Sequence, residues 1–383
     1  MTVISDTQTL AEFCDRLSTT DFITVDTEFL REKTYWPKLC LVQVGGPDEA
    51  YCIDPLAAGM DLAPLFALFA NPAITKVFHA ARQDLEIFYL LTGTIPAPLF
   101  DTQVAAMVCG FGDQVGYEAL ASKLAKAAID KSSRFTDWSH RPLTDKQIDY
   151  ALADVTHLRT IYKKLSAQLQ KRGREDWVAE EMAVLNDPDT YQVNPSEVWR
   201  RIKGRGAKPR VLAILREVAA WREAEAQRRD MPRNRLVRDE ALMEIAHHAP
   251  KTEEALARVR GLGGGFAKGK LGRGLLEAIH IALDVPKADW PQVPEPVRMP
   301  PATGPIADLL KVVLKARCTE ADVAPKIVAS AADIELLAAF GEESDVKALT
   351  GWRRKLFGED ALRVRSGELA LRIVDGAVQV EPT

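Results

Sequence analysis

Along the first 165 or so residues, two hydrophobic periods alternate. Short apolar runs at Phe22–Asp26, Leu39–Val44, Ala50–Ile53 and Ile74–Phe78 read as strands. Apolar residues spaced three and four apart predict helices over Leu10–Leu17, Leu62–Phe69, Gln83–Leu91, Thr102–Cys109, Tyr117–Ala125 and Asp145–Gln170. The first three strands follow closely, with Gly45-Gly46-Pro47 between two of them, which predicts antiparallel pairing. The pattern is an α/β domain with a mixed sheet covered by helices. From about residue 205 no strand pattern appears until the very end. Helices are expected over Val211–Gln227, Glu240–His247, Thr252–Val259 and Gly274–Leu283. Prolines at 286, 291, 294, 296, 300, 301 and 305 exclude a helix and predict a semi-rigid linker. After it, Ala307–Lys315, Ala321–Ala324, Ala331–Ala339 and Val346–Phe357 predict a second small helical unit.

Candidate chemistry sits at the strand and helix ends. Asp26 and Glu28 stand two apart on a strand, so their side chains share a face at the edge of an apolar core. Like charges so close repel, and burying them is costly without a positive partner. An oxygen-rich, mutually repelling pair suits a hard divalent cation such as Mg²⁺. Asp84 falls in the first turn of the helix after Lys76–Phe78. Tyr150 and Asp154 are at i and i+4 on one helix face, and Thr144 with Gln147 forms a capping box that starts that helix.

The runs Val25-Asp26-Thr27-Glu28-Phe29, His79-Ala80-Ala81-Arg82-Gln83-Asp84 and Tyr150-x-x-x-Asp154 resemble the three motifs of the DEDD exonucleases, in their tyrosine (DEDDy) branch. The run from Arg31 to Gln43, together with Thr136-Asp137-Trp138-Ser139-His140-Arg141-Pro142-Leu143-Thr144, narrows the resemblance to the ribonuclease D family. Trp221-Arg222-Glu223-x-x-Ala226-x-x-Arg229-Asp230-Met231-Pro232 resembles a helicase-and-RNase-D C-terminal (HRDC) domain. The second helical unit is similar by position and helix count. The resemblance implies a ribonuclease H-like exonuclease domain over residues 1–200 and a first all-α HRDC domain over 205–290. A Pro-rich linker over 291–305 and a second all-α HRDC-like domain over 306–383 complete it. It also implies 3′–5′ trimming of RNA, with tRNA precursors as substrate, by two Mg²⁺ ions for which Mn²⁺ substitutes. In that scheme Asp26 is shared by both ions, Glu28 and Asp154 complete the one that serves the attacking water, and Asp84 supports the other. Tyr150, with an ordinary pKa near 10, is a poor base at neutral pH and orients the water instead.

Composition narrows this picture in places. The 383 residues are 47% hydrophobic and 27% charged, ordinary for a water-soluble chain of two to four domains. No apolar run is long enough to span a bilayer, and Met1–Asp6 lacks the features of a secretion signal. Five scattered cysteines without a Cys-x-x-Cys pair speak against a zinc site and fit a reducing cytoplasm. The net charge is −4, yet the span from Arg200 to Arg238 carries an excess of nine positive charges, which either tracks a phosphate backbone or is a solvated helix face. Phe29, Arg31, Lys33, Tyr35 and Trp36 interleave aromatic and basic residues just after the acids. Such a set suits a single-stranded 3′ end, and the alternative is a basic hairpin with core aromatics. His79, at the end of its strand, is expected to be structural. Gly264-x-x-x-x-Gly269-Lys270 has phosphate-loop spacing. Leu271 replaces the hydroxyl residue and no strand precedes it, so it is expected to be a flexible inter-helix loop, and no nucleoside triphosphate partner is implied. Two other functions fit less well: a 3′–5′ exonuclease acting on DNA, and a catalytically silent RNA-binding scaffold, against which the intact acids speak.

Overall fold

A computed structural model describes residues 2–130, 132–204, 206–292 and 298–383. The chain divides into two compact units. One comprises Met1–Glu28, Leu41–Thr190 and Val297–Thr383; the other comprises Phe29–Cys40 and Tyr191–Pro296.

The first unit is built on β1 (Val3–Ile4), α1 (Thr7–Leu17), β2 (Phe22–Leu30), β3 (Lys38–Gly45), β4 (Ala50–Ile53), α2 (Ala63–Ala70), β5 (Thr75–Phe78), α3 (Arg82–Thr92), β6 (Leu99–Asp101), α4 (Thr102–Val108), α5 (Tyr117–Leu120), α6 (Asp145–Arg172) and α7 (Glu175–Leu185). The six strands lie in the order β1-β4-β3-β2-β5-β6. β3 and β4 are antiparallel, whereas β1 with β4, β2 with β5 and β5 with β6 are parallel, so the sheet is mixed as expected. Phe22, Ile23 and Thr24 pair with Thr75, Lys76 and Val77, and β2 then runs on past this pairing. Asp26 and Glu28 therefore emerge at the carboxyl end of the parallel strands, where α/β sheets commonly bind ligands. β1 and β6 lie outside the expected strands. Two- and three-residue strands are too short to show a period.

The second unit contains α8 (Pro209–Arg228), α9 (Arg233–Leu236), α10 (Asp239–His248), α11 (Glu253–Leu256), α12 (Gly264–Lys268) and α13 (Lys270–Asp284). Its core gathers Leu215, Val218, Leu242, Ile245, Leu256, Leu275 and Ile279, among others. The glycine run from Gly264 is a short helix, not the flexible loop expected. A Cβ at Gly272 would lie 2.2 Å from the Ala267 carbonyl oxygen, so glycine there lets α13 start directly against α12.

Residues 298–383 pack within the first unit. They form α14 (Thr303–Ala321), α15 (Pro325–Val328), α16 (Ala331–Phe340), α17 (Gly351–Arg353) and α18 (Glu359–Ser366), then a hairpin of β7 (Leu369–Val374) and β8 (Ala377–Pro382). Two expectations change here. The segment is not all-α, because Asp375 and Gly376, at φ 51° and 79°, form the left-handed turn of a two-residue hairpin. The Pro-rich linker, of which 293–297 lie outside the described residues, ends by Ala302, since Pro305 fits the first turn of α14 where no amide donor is needed. Among the described residues, no helix is long and apolar enough to cross a membrane.

Candidate active site

Three elements bring carboxylates together. β2 carries Asp26 and Glu28 side by side, as its two-residue period dictates. Thr24, two residues earlier, donates its hydroxyl to the Val155 carbonyl at 2.8 Å and to Gly45 O at 3.2 Å, which ties β2 to α6 one residue beyond Asp154. α6 begins at the expected capping box, with the Thr144 side chain accepting from the Gln147 amide and the Gln147 side chain from that of Thr144. Asp26, Glu28 and Asp154 each offer a carboxylate oxygen, and these atoms all lie within 4.8 Å of one another. Tyr150, one turn before Asp154, hydrogen-bonds to its carboxylate and lies 6.1 Å, ring to ring, from the buried Trp138.

Asp84 is buried in the first turn of α3. It stands beside the three-carboxylate group, close enough for its charge to be felt at Asp26 and Glu28. Its Oδ1 accepts the hydroxyl of Thr27, the residue between the two β2 acids. The turn leading to Asp84 is held by Asp101 at the end of β6. Its carboxylate accepts the amides of Ala80 at 3.0 Å, Ala81 at 2.8 Å and Gln103 at 2.7 Å, and so fixes Ala80 in the left-handed region at φ 57°. His79 donates to or accepts from Thr102 Oγ1 at 3.0 Å and packs against Tyr117, the structural role expected of it.

Burial and mutual repulsion dominate the electrostatics. Desolvation, then the charges of Asp154, Asp84 and Glu28, hold the Asp26 carboxyl well above the usual range. Glu28 is pushed up to about 9 by burial, Asp154 and Asp84, against which only Arg134 acts. Burial lifts Asp84 and Asp154 to about 7, moderated by the hydrogen bonds from Thr27 and Tyr150 respectively. The Tyr150 phenol is raised by burial and then by Asp154, Glu28 and Asp26. Oxygen donors that resist ionisation together, with no cation paired to Asp26 among the described residues, are suited to a small divalent ion.

Of the two readings open for the residues after Glu28, Tyr35 follows the one with core aromatics. Tyr35 is buried with Ala226 and Leu236, donates its hydroxyl to Glu223, and receives a 3.2 Å bond from Gln227 Nε2. The backbone amides of Tyr35 and Trp36 both donate to Asp230, at 3.0 and 2.9 Å, and the Trp36 indole donates to the Gln227 carbonyl. Tyr35 is thus a core residue of the second unit, and the half-buried Trp36 is anchored there through its amide and indole. Phe29 is half-buried, and Arg31 and Lys33 are exposed. Much of the basic span is paired within the chain: Arg222 with Asp239, Arg228 and Arg229 with Glu225, Arg233 with Glu223. Thr27, Asp101 and Arg134 have no counterpart in the sequence reading. For Asp101 a signal existed, as Asp-Thr before an apolar helix is an N-cap pattern.

Comparison with known proteins places these features in a family. A 3′–5′ exonuclease family model matches residues 1–170, and an HRDC domain model matches residues 211–279. Ribonuclease D of Acidiphilium cryptum is 55% identical over 99% of this chain and 96% of its own length. That of Granulibacter bethesdensis is 53% identical over 98% and 95%. The crystal structure of Escherichia coli RNase D, described as an exoribonuclease involved in structured RNA processing, superposes with a TM-score of 0.82 at 30% identity, covering 95% of this chain and 97% of that one. The chain belongs to the ribonuclease D family, and its first domain is a 3′–5′ exonuclease domain.

Proposed function

We propose that this chain removes nucleotides from RNA 3′ ends by hydrolysis with two Mg²⁺ ions, and that tRNA precursors are its natural substrate. The observation that carries the hydrolytic reading is the convergence of the Asp26, Glu28 and Asp154 oxygens within 4.8 Å, with Asp84 beside them. The RNA substrate is supported by the relatives, and the tRNA substrate by the earlier resemblance to their family. Asp26, Glu28, Asp84 and Asp154 would hold the ions. When bound, such ions activate water and neutralise the leaving oxygen of an in-line displacement. The protein's own groups orient and exclude. Tyr150, its phenol raised above the ordinary value, stays protonated at neutral pH; its one proton goes to the Asp154 carboxylate, and its oxygen positions the attacking water as an acceptor. Thr27 aims the Asp84 carboxylate, and Asp101 fixes the turn beneath it. Phe29, Arg31 and Lys33 are the remaining RNA contacts after Glu28.

The same reading divides the chain into an exonuclease domain over 1–200, a first HRDC domain over 205–290 and, beyond the Pro-rich linker, a second HRDC-like domain. The pairing of α14 with α16 and α18 supports that last assignment. The direct test incubates full-length protein with a 3′-extended tRNA and with matched RNA and DNA oligomers. In Mg²⁺ the RNA ladders should shorten from the 3′ end, and EDTA should stop them. Shortening that survives EDTA would remove the metal mechanism, equal rates on DNA would remove the RNA assignment, and an untouched tRNA extension would remove the tRNA substrate.

A further inference from the structure

The loop before α6 carries a feature that the catalytic acids do not account for. Residues Ser133 to Thr136 form a tight turn, in which the Thr136 amide and hydroxyl both donate to the Ser133 carbonyl, at 3.2 and 2.8 Å. Gln147, in the first turn of α6, donates to the Thr136 hydroxyl at 3.0 Å. On the other flank Trp138 is buried beside Tyr150, and Arg141 donates to the Trp138 carbonyl while pairing with Asp54 through two 2.7 Å bonds. The turn is therefore clamped at both ends to the elements that build the active site. At its tip stand two exposed side chains, Arg134 and Phe135. Phe135 is 91% exposed, the most exposed large apolar side chain among the described residues. The Arg134 guanidinium lies 5.2 Å from the Phe135 ring centre. The positive charge of Arg134 reaches Glu28, Tyr150 and Asp154.

An aromatic ring held out in water costs solvation and contributes nothing to the core. A protein partner would call for a contiguous apolar patch, yet Ser132, Thr136 and Asp137 around it are exposed and polar. An unpaired aromatic next to a cation, within reach of a phosphodiester-cleaving site, matches how single-stranded nucleic acid is held: a base stacks on the ring and a phosphate meets the charge. We propose that the Ser133–Thr136 turn is a substrate grip, with Phe135 stacking on a base near the RNA 3′ end and Arg134 meeting the phosphodiester beside it. The assignment rests on the exoribonuclease reading above.

Binding separates the two. Full-length protein with Ca²⁺ in place of Mg²⁺ is titrated with a 5′-labelled oligouridylate, and with the same strand made abasic at its 3′-terminal positions. Phe135→Ala should weaken binding of the base-bearing strand by about 10-fold and leave the abasic strand unchanged, and Phe135→Trp should restore it. Arg134→Gln should weaken both strands and lower the slope of log affinity against log salt by about one, and Arg134→Lys should recover the slope. In Mg²⁺ the Phe135→Ala loss should fall on KM and not on kcat. Both side chains are exposed, so a cooperative melting transition in every variant should certify the fold, with the Phe135 variants melting where the parent does. A Phe135→Ala affinity equal to the parent's, an equal loss on both strands, or an unchanged salt slope for Arg134→Gln overturns the grip. Parent protein that fails to shorten RNA in Mg²⁺ overturns the exoribonuclease reading instead, whatever the binding data show.

Discussion

Two places in the first unit bury charge, and they do so in opposite ways. Around β2, four carboxylates crowd together: burial lifts Asp84 and Asp154 to about 7, and burial with the neighbouring charges lifts Glu28 to about 9 and holds Asp26 well above its usual range. At α17, the guanidinium of Arg353 is almost wholly buried but fully engaged. It donates to Glu180 and Glu181 of α7 and to the Ile327 carbonyl at 2.8 Å, while the adjacent Trp352 stacks on Trp177 at 4.2 Å and 8°. The second cluster is complete within the protein. The first has, among the described residues, only the charge of Arg134 acting against it, felt at Glu28 and Asp154. The difference separates charge kept for chemistry from charge kept for architecture, because only unpaired like charges leave a site whose stability depends on what binds there.

The sharpest way to break this contrast is Asp26→Asn. Cleavage should fall to background, since the carboxylate shared among the others is lost. The metal-free melting temperature should rise at the same time, because one repelling charge is gone. A variant that keeps more than a few per cent of parental turnover in Mg²⁺ would show that the cluster is not the reaction centre.

Arg353→Met should do the reverse. Removing one partner of a buried pair leaves the others uncompensated, and the expected loss is about 3 kcal/mol of stability, read by urea titration. The loss should be the same with EDTA as with Mg²⁺, and turnover per folded molecule should be unchanged. A Mg²⁺-dependent loss would mean that the α17 cluster is coupled to the acids and that the two clusters are not independent.

Within the acidic cluster, Tyr150→Phe sharpens the division between holding an ion and orienting water. It keeps the ring beside Trp138 and removes only the hydroxyl, so Mg²⁺ affinity measured by calorimetry should be little changed while turnover drops on the order of 10²-fold. Unchanged turnover with chemistry rate-limiting would take Tyr150 out of the reaction.

The acid positions were legible because each rests on a local period. Asp26 and Glu28 follow from a strand's alternation, Tyr150 and Asp154 from a helix's i, i+4 spacing, and the start of α6 from its capping box. Tyr35 was not legible, since its fate depends on Glu223 in α8, 188 residues away, and an aromatic between basic residues has the same local pattern whether it stacks on a base or fills a core. Thr27 escaped for a related reason. The residue between two aligned acids is expected on the other face, and nothing local shows that its hydroxyl meets the Asp84 carboxylate. The β7–β8 hairpin had a readable signal in Asp375-Gly376 between alternating apolar residues. The packing of residues 298–383 into the catalytic unit had none, because it runs through pairs such as Arg172 with Asp322 and Met107 O with the Ala324 amide that no single segment reveals.

The smallest expected effect is a pH dependence. Glu28, Asp84 and Asp154 have folded values of about 9, 7 and 7 against ordinary values of 4.5, 3.8 and 3.8. Each is raised, so the fold favours the protonated form. That stabilising contribution is complete below about pH 4 and is lost as pH climbs through 7 and then 9. In EDTA the melting temperature should therefore decline by some degrees between about pH 5 and 9. Arg353→Met should shift the whole curve down with its slope intact, while Asp26→Asn should flatten it. Mg²⁺ binds the ionised carboxylates, so adding it should raise the melting temperature more at about pH 8 than at about pH 6. Scanning calorimetry across that range checks both signs at once. A metal-free curve that rises with pH, or a Mg²⁺ increment that shrinks with it, would mean that the four acids are not held together in the folded protein.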